Sequence, residues 1–141
     1  MTRYRPFTQA WADAVRDTIN DDAHYRTVAA EWSWPVALVL EAVPEFGYAS
    51  DAAVEFALNR GRCTAAAVVD PASLDVPFVL RARYAVWKRI VLGITDPVIA
   101  LLLRQVTLDG SLSTLMLHAG AAKALVACAR RVPTEFPDES A

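Results

Sequence analysis

Four side chains in this sequence could supply an imidazole or a thiol to a metal site or a catalytic set: His24, His118, Cys63 and Cys128. None stands at the spacing of a zinc site or a redox pair, because there is no His-x-x-x-His and no Cys-x-x-Cys. The chain also lacks a Gly-x-Ser-x-Gly elbow, a Walker loop and a Gly-x-Gly-x-x-Gly run, so serine hydrolase and nucleotide-binding readings have no local geometry to rest on. A Ser-His-Asp set could still assemble in space from Ser113, His118 and Asp109. Serine and aspartate at helix starts have a simpler role, since their oxygens accept the free N–H groups of the first turn. The residues therefore predict no catalytic group, no metal and no cofactor.

Charge offers a second kind of chemistry. The 14 Lys and Arg residues against 16 Asp and Glu give a net charge of -2, which supplies no general attraction to nucleic acid. Locally the balance differs: Arg60, Arg62, Arg81, Arg83, Lys88 and Arg89 are opposed only by Asp70 and Asp75. Such an excess suits an anionic head group or a transient membrane-surface contact, with Arg81, Arg83 and Lys88 as the candidate head-group residues. Strand alternation would equally place these residues on a solvated outer face.

Hydrophobic residues make up 55% of the chain and mean hydropathy is +0.25. Three destinations fit that apolar excess: an alanine-rich core, an oligomer interface such as a homodimer, or a cavity lined from all sides. No apolar run approaches the roughly twenty residues of a membrane span, and residues 1–25 lack the apolar centre of a secretion signal. A cytoplasmic protein with two reduced, buried cysteines is expected.

The periodicities describe one continuous domain over residues 1–141. Trp11, Ala14, Val15 and Ile19 recur at helical spacing after Thr8, and a second helical piece follows from Ala23 to Glu31, ending at Trp34–Pro35. Val36–Leu40 reads as a strand, Val54–Leu58 alternates as a half-buried strand, and Gly61 closes a tight turn before Cys63–Val69. Phe78–Arg83 alternates again. The period then switches to a helix carrying Tyr84, Trp87, Lys88 and Val91, which Gly93 closes. Asp96–Pro97 opens another helix, with Asp96 as cap and Pro97 at the first position. A short strand ends at Asp109, Ser111 or Ser113 caps a helical region with Leu112, Leu115 and Met116, and a final helix buries Ala121, Ala124, Leu125 and Cys128 before Pro133. The acidic segment 134–141 is expected to be a mobile tail.

The order Trp87, Gly93, Asp96–Pro97, apolar Val98–Leu103, short strand and Asp109–Gly110–Ser111 resembles the C-terminal half of the sterol carrier protein type 2 family. The likeness extends loosely over residues 36–132, although Arg104–Gln105 stands where members often carry Gly-Lys. It implies an α+β fold: a mixed, largely antiparallel sheet of about five strands with helices packed on one face. It also implies non-catalytic binding or transfer of a fatty acyl lipid, sterol or isoprenoid. The residues expected to converge between sheet and C-terminal helices are Phe56, Phe78, Leu80, Trp87, Val91, Leu101, Leu102, Leu115, Met116 and Leu125. They either line an apolar cavity or pack against one another at ordinary interior density. The alternative from a different class is a protein-interaction or oligomerisation module, or an accessory domain that presents an apolar substrate to an enzyme.

Overall fold

Thr8 caps the first helix as its position predicts: its hydroxyl oxygen accepts from the Trp11 N–H, and helix α1 runs Gln9–Asn20. The computed structural model describes residues 2–139. Asp22 caps helix α2 (Ala23–Val28) by accepting from the Tyr25 N–H. This helix stops three residues before the expected Glu31. The Ala29 and Trp32 N–H groups bond to Tyr25 and Ala29 carbonyls, and that turn releases the chain toward the extended conformation Pro35 requires.

Five strands follow: β1 (Val36–Leu40), β2 (Ala52–Asn59), β3 (Arg62–Val69), β4 (Phe78–Ala82) and, later in the chain, β5 (Thr107–Asp109). They form one sheet in the order β3-β2-β1-β4-β5. Every pairing is antiparallel except β1 with β4, which is parallel. The fold is thus the α+β arrangement with a mixed, largely antiparallel sheet. Residues 70–77 carry the chain from edge strand β3 past two strands to β4. Pro71, Leu74 and Val76 border a groove with Val79, Arg81 and Thr107 on the sheet's outer side.

The β2–β3 hairpin depends on one glycine. Arg60 and Gly61 both have positive φ, 51° and 85°, the pattern of a two-residue turn that follows the strands' right-handed twist. A Cβ on Gly61 would lie 2.7 Å from the Arg26 carbonyl oxygen, so α2 sits directly on the turn.

The helices of the other half are α3 (Tyr84–Val91), α4 (Pro97–Leu102), α5 (Leu112–Leu117) and α6 (Ala119–Arg131). Asp96 caps α4, accepting from the Val98 and Ile99 N–H groups, and Pro97 occupies the first turn. Of the two serines that could cap α5, Ser111 does so, accepting from the Thr114 N–H. Helix α6 touches each of the other five, and α1 lies over β3 and β2. None of the described helices is long and apolar enough to cross a membrane.

Residues 134–139, expected as part of a mobile tail, make contacts with the rest of the domain. Tyr4 donates to Pro133 and accepts from Glu135, both at 2.8 Å, and Thr134 and Phe136 are buried. Asp138 accepts hydrogen bonds from the Tyr84 hydroxyl and, at 2.8 Å, from Lys88 Nζ. Residues 134–139 are therefore docked on α3 by one buried ring and a partly screened ion pair. Two of their acids, Asp138 and Glu139, pair with the single cation Lys88. Residues 140 and 141 lie outside the described residues.

An apolar cavity as the candidate functional site

The pairing register decides which strand residues meet. Val36 is the partner of both Phe56 and Phe78, and Leu38 is the partner of both Val54 and Leu80. Side chains alternate across a pleated strand, so these residues share one face. On that face the sheet supplies Val36, Leu38, Phe56, Leu58, Phe78 and Leu80 to the wall of a cavity of about 100 Å³. The helices close it: Trp11 and Val15 of α1, Tyr25 of α2, Trp87, Ile90 and Val91 of α3, Val98 and Leu101 of α4, and Leu115 and Met116 of α5.

Helix α6 sets the depth. It presents Ala121, Ala122, Leu125, Val126 and Ala129 to the cavity, and the alanines hold that wall back where larger residues would fill the space. Part of the chain's apolar excess is thereby accounted for by small residues around a void.

The wall carries no charged side chain, and Tyr25 is its only hydroxyl-bearing residue. Burial pushes the Tyr25 phenol well above its ordinary ionisation range, so it is neutral at physiological pH. The indole N–H groups of the lining tryptophans are already satisfied. Trp87 donates to the Val39 carbonyl at 2.9 Å, Trp32 to the Trp34 carbonyl at 2.8 Å, and Trp11 to the Thr134 hydroxyl at 3.3 Å. A guest would meet hydrocarbon and aromatic faces.

Of the ten residues expected to converge, Phe56, Phe78, Leu80, Trp87, Val91, Leu101, Leu115, Met116 and Leu125 line the cavity. Leu102 does not. It is 57% exposed on the outer side of α4, whereas Val98 and Leu101, three residues apart and so on one helical side, face inward. The residues sequence reasoning missed include Trp11, Val15, Tyr25, Trp32, Val36 and Leu38 from the first third of the chain, and Leu58, Ile90, Val98, Val106 and the α6 residues Ala121, Ala122, Val126 and Ala129. The helical periodicity marked Trp11, Val15 and Tyr25 as inward, yet nothing local told which inward residues border a void.

The three basic candidates are not gathered at the cavity. Arg81 is one residue out of phase with Phe78 and Leu80, and lines the groove on the opposite side of the sheet. There it pairs with Asp51 at 2.7 Å. Lys88 is held by Asp138 and lies over the Phe136 ring. Arg83 stands exposed at the start of α3.

Nor do Ser113, His118 and Asp109 join. Ser113 Oγ lies 3.2 Å from Ser111 Oγ. The His118 ring packs edge-on against Trp32 and Trp34, with centroids 5.3 and 5.8 Å apart. Among the described residues no hydrogen bond links this histidine to either partner, and no group of His, Cys, Asp and Glu could hold a metal ion.

Both cysteines are buried and free. Burial raises Cys63 to about 11 and, with the charge of Asp22 beside it, Cys128 to about 12. The thiolate is the reactive form, so at pH 8 a thiol reagent should label neither cysteine until the chain unfolds, and both should react in denaturant. Above pH 9 the unfolded thiols lose protons that the folded ones keep, so stability should fall as pH rises toward the folded values. Rapid labelling of the native protein at pH 8 would show that β3 or α6, which carry Cys63 and Cys128, opens locally.

No protein-family model matches the sequence, and no curated protein does. Solved structures do. A crystal structure of sterol carrier protein 2 has 32% identity and a TM-score of 0.86 over 91% of this chain and 99% of its own. The solution structure of TT1886 from Thermus thermophilus, a conserved protein considered a candidate sterol carrier protein, has 31% identity and a TM-score of 0.86, covering 96% of this chain and 94% of its own. An apo form of sterol carrier protein 2 from Yarrowia lipolytica shares the fold, with a TM-score of 0.57 at 13% identity over 84% of this chain and 88% of its own.

Proposed function

Because the chain belongs to the sterol carrier protein 2 family, we propose that it is a non-catalytic, cytoplasmic carrier that takes the hydrocarbon part of a lipid into the cavity between sheet and helices. The uncharged wall is the observation that carries this reading. Two free cysteines suit a reducing compartment. Among fatty acyl, isoprenoid and sterol ligands, an acyl or isoprenoid chain suits the wall best, because its buried part is hydrocarbon that asks for no hydrogen bond and the indole donors are occupied.

The cavity of about 100 Å³ is smaller than the roughly 300 to 1,000 Å³ of ordinary ligand sites, so uptake requires a wall to give. The adaptable parts are α4 and α5, six residues each, together with the flexible thioether of Met116. Burying a methylene contributes about 0.8 kcal/mol, so a twelve-carbon chain offers roughly 10 kcal/mol before ordering costs, enough for micromolar affinity.

Native mass spectrometry of the purified protein should therefore find a co-purified lipid, and a fluorescent acyl probe should bind at micromolar concentration and be displaced by unlabelled fatty acid. A lipid-free dimer that ignores the probe would replace the carrier with an oligomerisation module.

A further inference from the structure

Tyr25, Tyr48 and Tyr84 are buried, and two of the three have partners for their hydroxyls. Tyr48 donates to the Pro6 carbonyl at 2.6 Å, and Tyr84 donates to Asp138. Tyr25 differs. It is 1% exposed and borders the cavity, yet no group among the described residues forms a hydrogen bond with its hydroxyl. The neighbouring thiols of Cys63 and Cys128 are committed elsewhere, the first to the Ala65 carbonyl at 3.3 Å and the second to Asp22 at 3.6 Å. Every sealed polar side-chain atom among the described residues has a partner. The unpartnered Tyr25 oxygen therefore still opens onto free space, and the cavity is the space this residue borders. Water there is a poor substitute, since a stable buried water needs about two to four polar partners and the indole N–H groups of the wall are occupied. The group that completes Tyr25 has to arrive with the guest.

The helix that carries this phenol is held firmly. At its start the Asn20 amide clamps β3, donating to the Cys63 carbonyl at 2.9 Å and accepting from the Cys63 N–H at 2.8 Å. Asp22, the cap of α2, also accepts from Arg131 of α6 at 2.7 Å. The Gly61 turn lies against the Arg26 backbone. Helix α2 is thus fixed from three sides near the β3 edge of the sheet, whereas the adaptable α4 and α5 adjoin β5 at the opposite edge. A chain admitted where α4 and α5 give brings its leading end toward Tyr25. A partner already held in place gains most from a hydrogen bond, because it loses least on ordering.

We infer that the Tyr25 hydroxyl determines specificity by selecting lipid chains that carry a neutral oxygen, a hydroxyl or a ketone, at or near the buried end. The inference rests on the carrier reading and narrows its ligand class. A hydroxyl suits the phenol because each can both donate and accept. A carboxylate does not belong at this end, since the wall has no cation to offset the loss of its hydration. An apolar wall alone rejects any oxygen that it leaves unpaired, so acceptance of one depends on this single residue.

The test is displacement of a fluorescent acyl probe by saturated fatty acids from decanoate to hexadecanoate, and by their ω-hydroxy and (ω-1)-oxo analogues. The carboxylate stays in water while the far end enters. At the chain length that reaches the phenol, wild-type protein should bind the oxygenated analogues at least as tightly as the plain acid. Tyr25→Phe keeps the ring, so circular dichroism should be unchanged and affinity for the plain acids should stay within twofold. The same variant should bind the oxygenated analogues at least tenfold more weakly, because their oxygen is then buried without a partner. Equal rejection of the analogues by both proteins, or equal acceptance, at every chain length while the plain acids still bind would overturn the inference. Failure of the plain acids to displace the probe from the wild type would instead remove the carrier reading, and the role of Tyr25 with it.

Discussion

Ala122→Phe is expected to lower acyl-probe affinity at least tenfold, a loss of about 1.4 kcal/mol, while Leu102→Phe leaves it within twofold. Ala122 lies on the cavity side of α6 and Leu102 on the outer side of α4, so the pair adds ring volume at two neighbouring helices, once inside and once outside. A phenyl ring at 122 occupies space that a guest chain needs. Overpacking a filled core costs about 1 to 3 kcal/mol, whereas a ring entering an existing void avoids most of that strain. Urea unfolding therefore discriminates: the Ala122→Phe midpoint should fall little even as probe binding disappears. Equal losses of binding and stability would identify Ala122 as an ordinary core residue and remove the cavity assignment.

Much of the cavity was legible in the sequence because each contributing element carries its own period. Phe56 and Leu58 alternate with polar or small residues, Phe78 and Leu80 alternate with Val79 and Arg81, and the capped helix at Asp96–Pro97 starts where its residues require. Two kinds of information were not local. Leu101 and Leu102 are adjacent leucines in a helix of six residues, too short for its sequence to reveal which stripe meets the rest of the chain. Arg81 was read as a head-group residue from the local excess of positive charge, but the pleat that turns Leu80 inward turns Arg81 to the other side. β1 was opaque for another reason. Ala37 and Val39 are as fully buried as Leu40, and a strand buried on both faces shows no alternation from which to pick Val36 and Leu38. The contacts of segment 134–139 were not legible because composition records its acids and not the Lys88 and Tyr84 that meet them.

Phe56→Ala should produce the largest stability loss together with a gain in ligand dependence. Phe56 is 1% exposed on a central strand and borders the cavity, so truncation removes its burial and enlarges the existing void. Changes of this kind cost about 3 to 5 kcal/mol, a large share of the roughly 5 to 15 kcal/mol that holds a domain folded. The urea midpoint should drop without a change in slope if unfolding stays two-state. A ligand that binds only the folded protein returns stability in proportion to its occupancy, about 2.7 kcal/mol at a hundred times its dissociation constant. An acyl chain that extends into the space left by the ring should raise the variant's midpoint more than it raises the wild type's, and the longest chains should show the largest difference. A cavity unrelated to ligand would give the same loss with no recovery. That comparison separates a packing defect from a binding site at the same residue, since in one case the void stays empty and in the other the guest replaces the side chain that was removed.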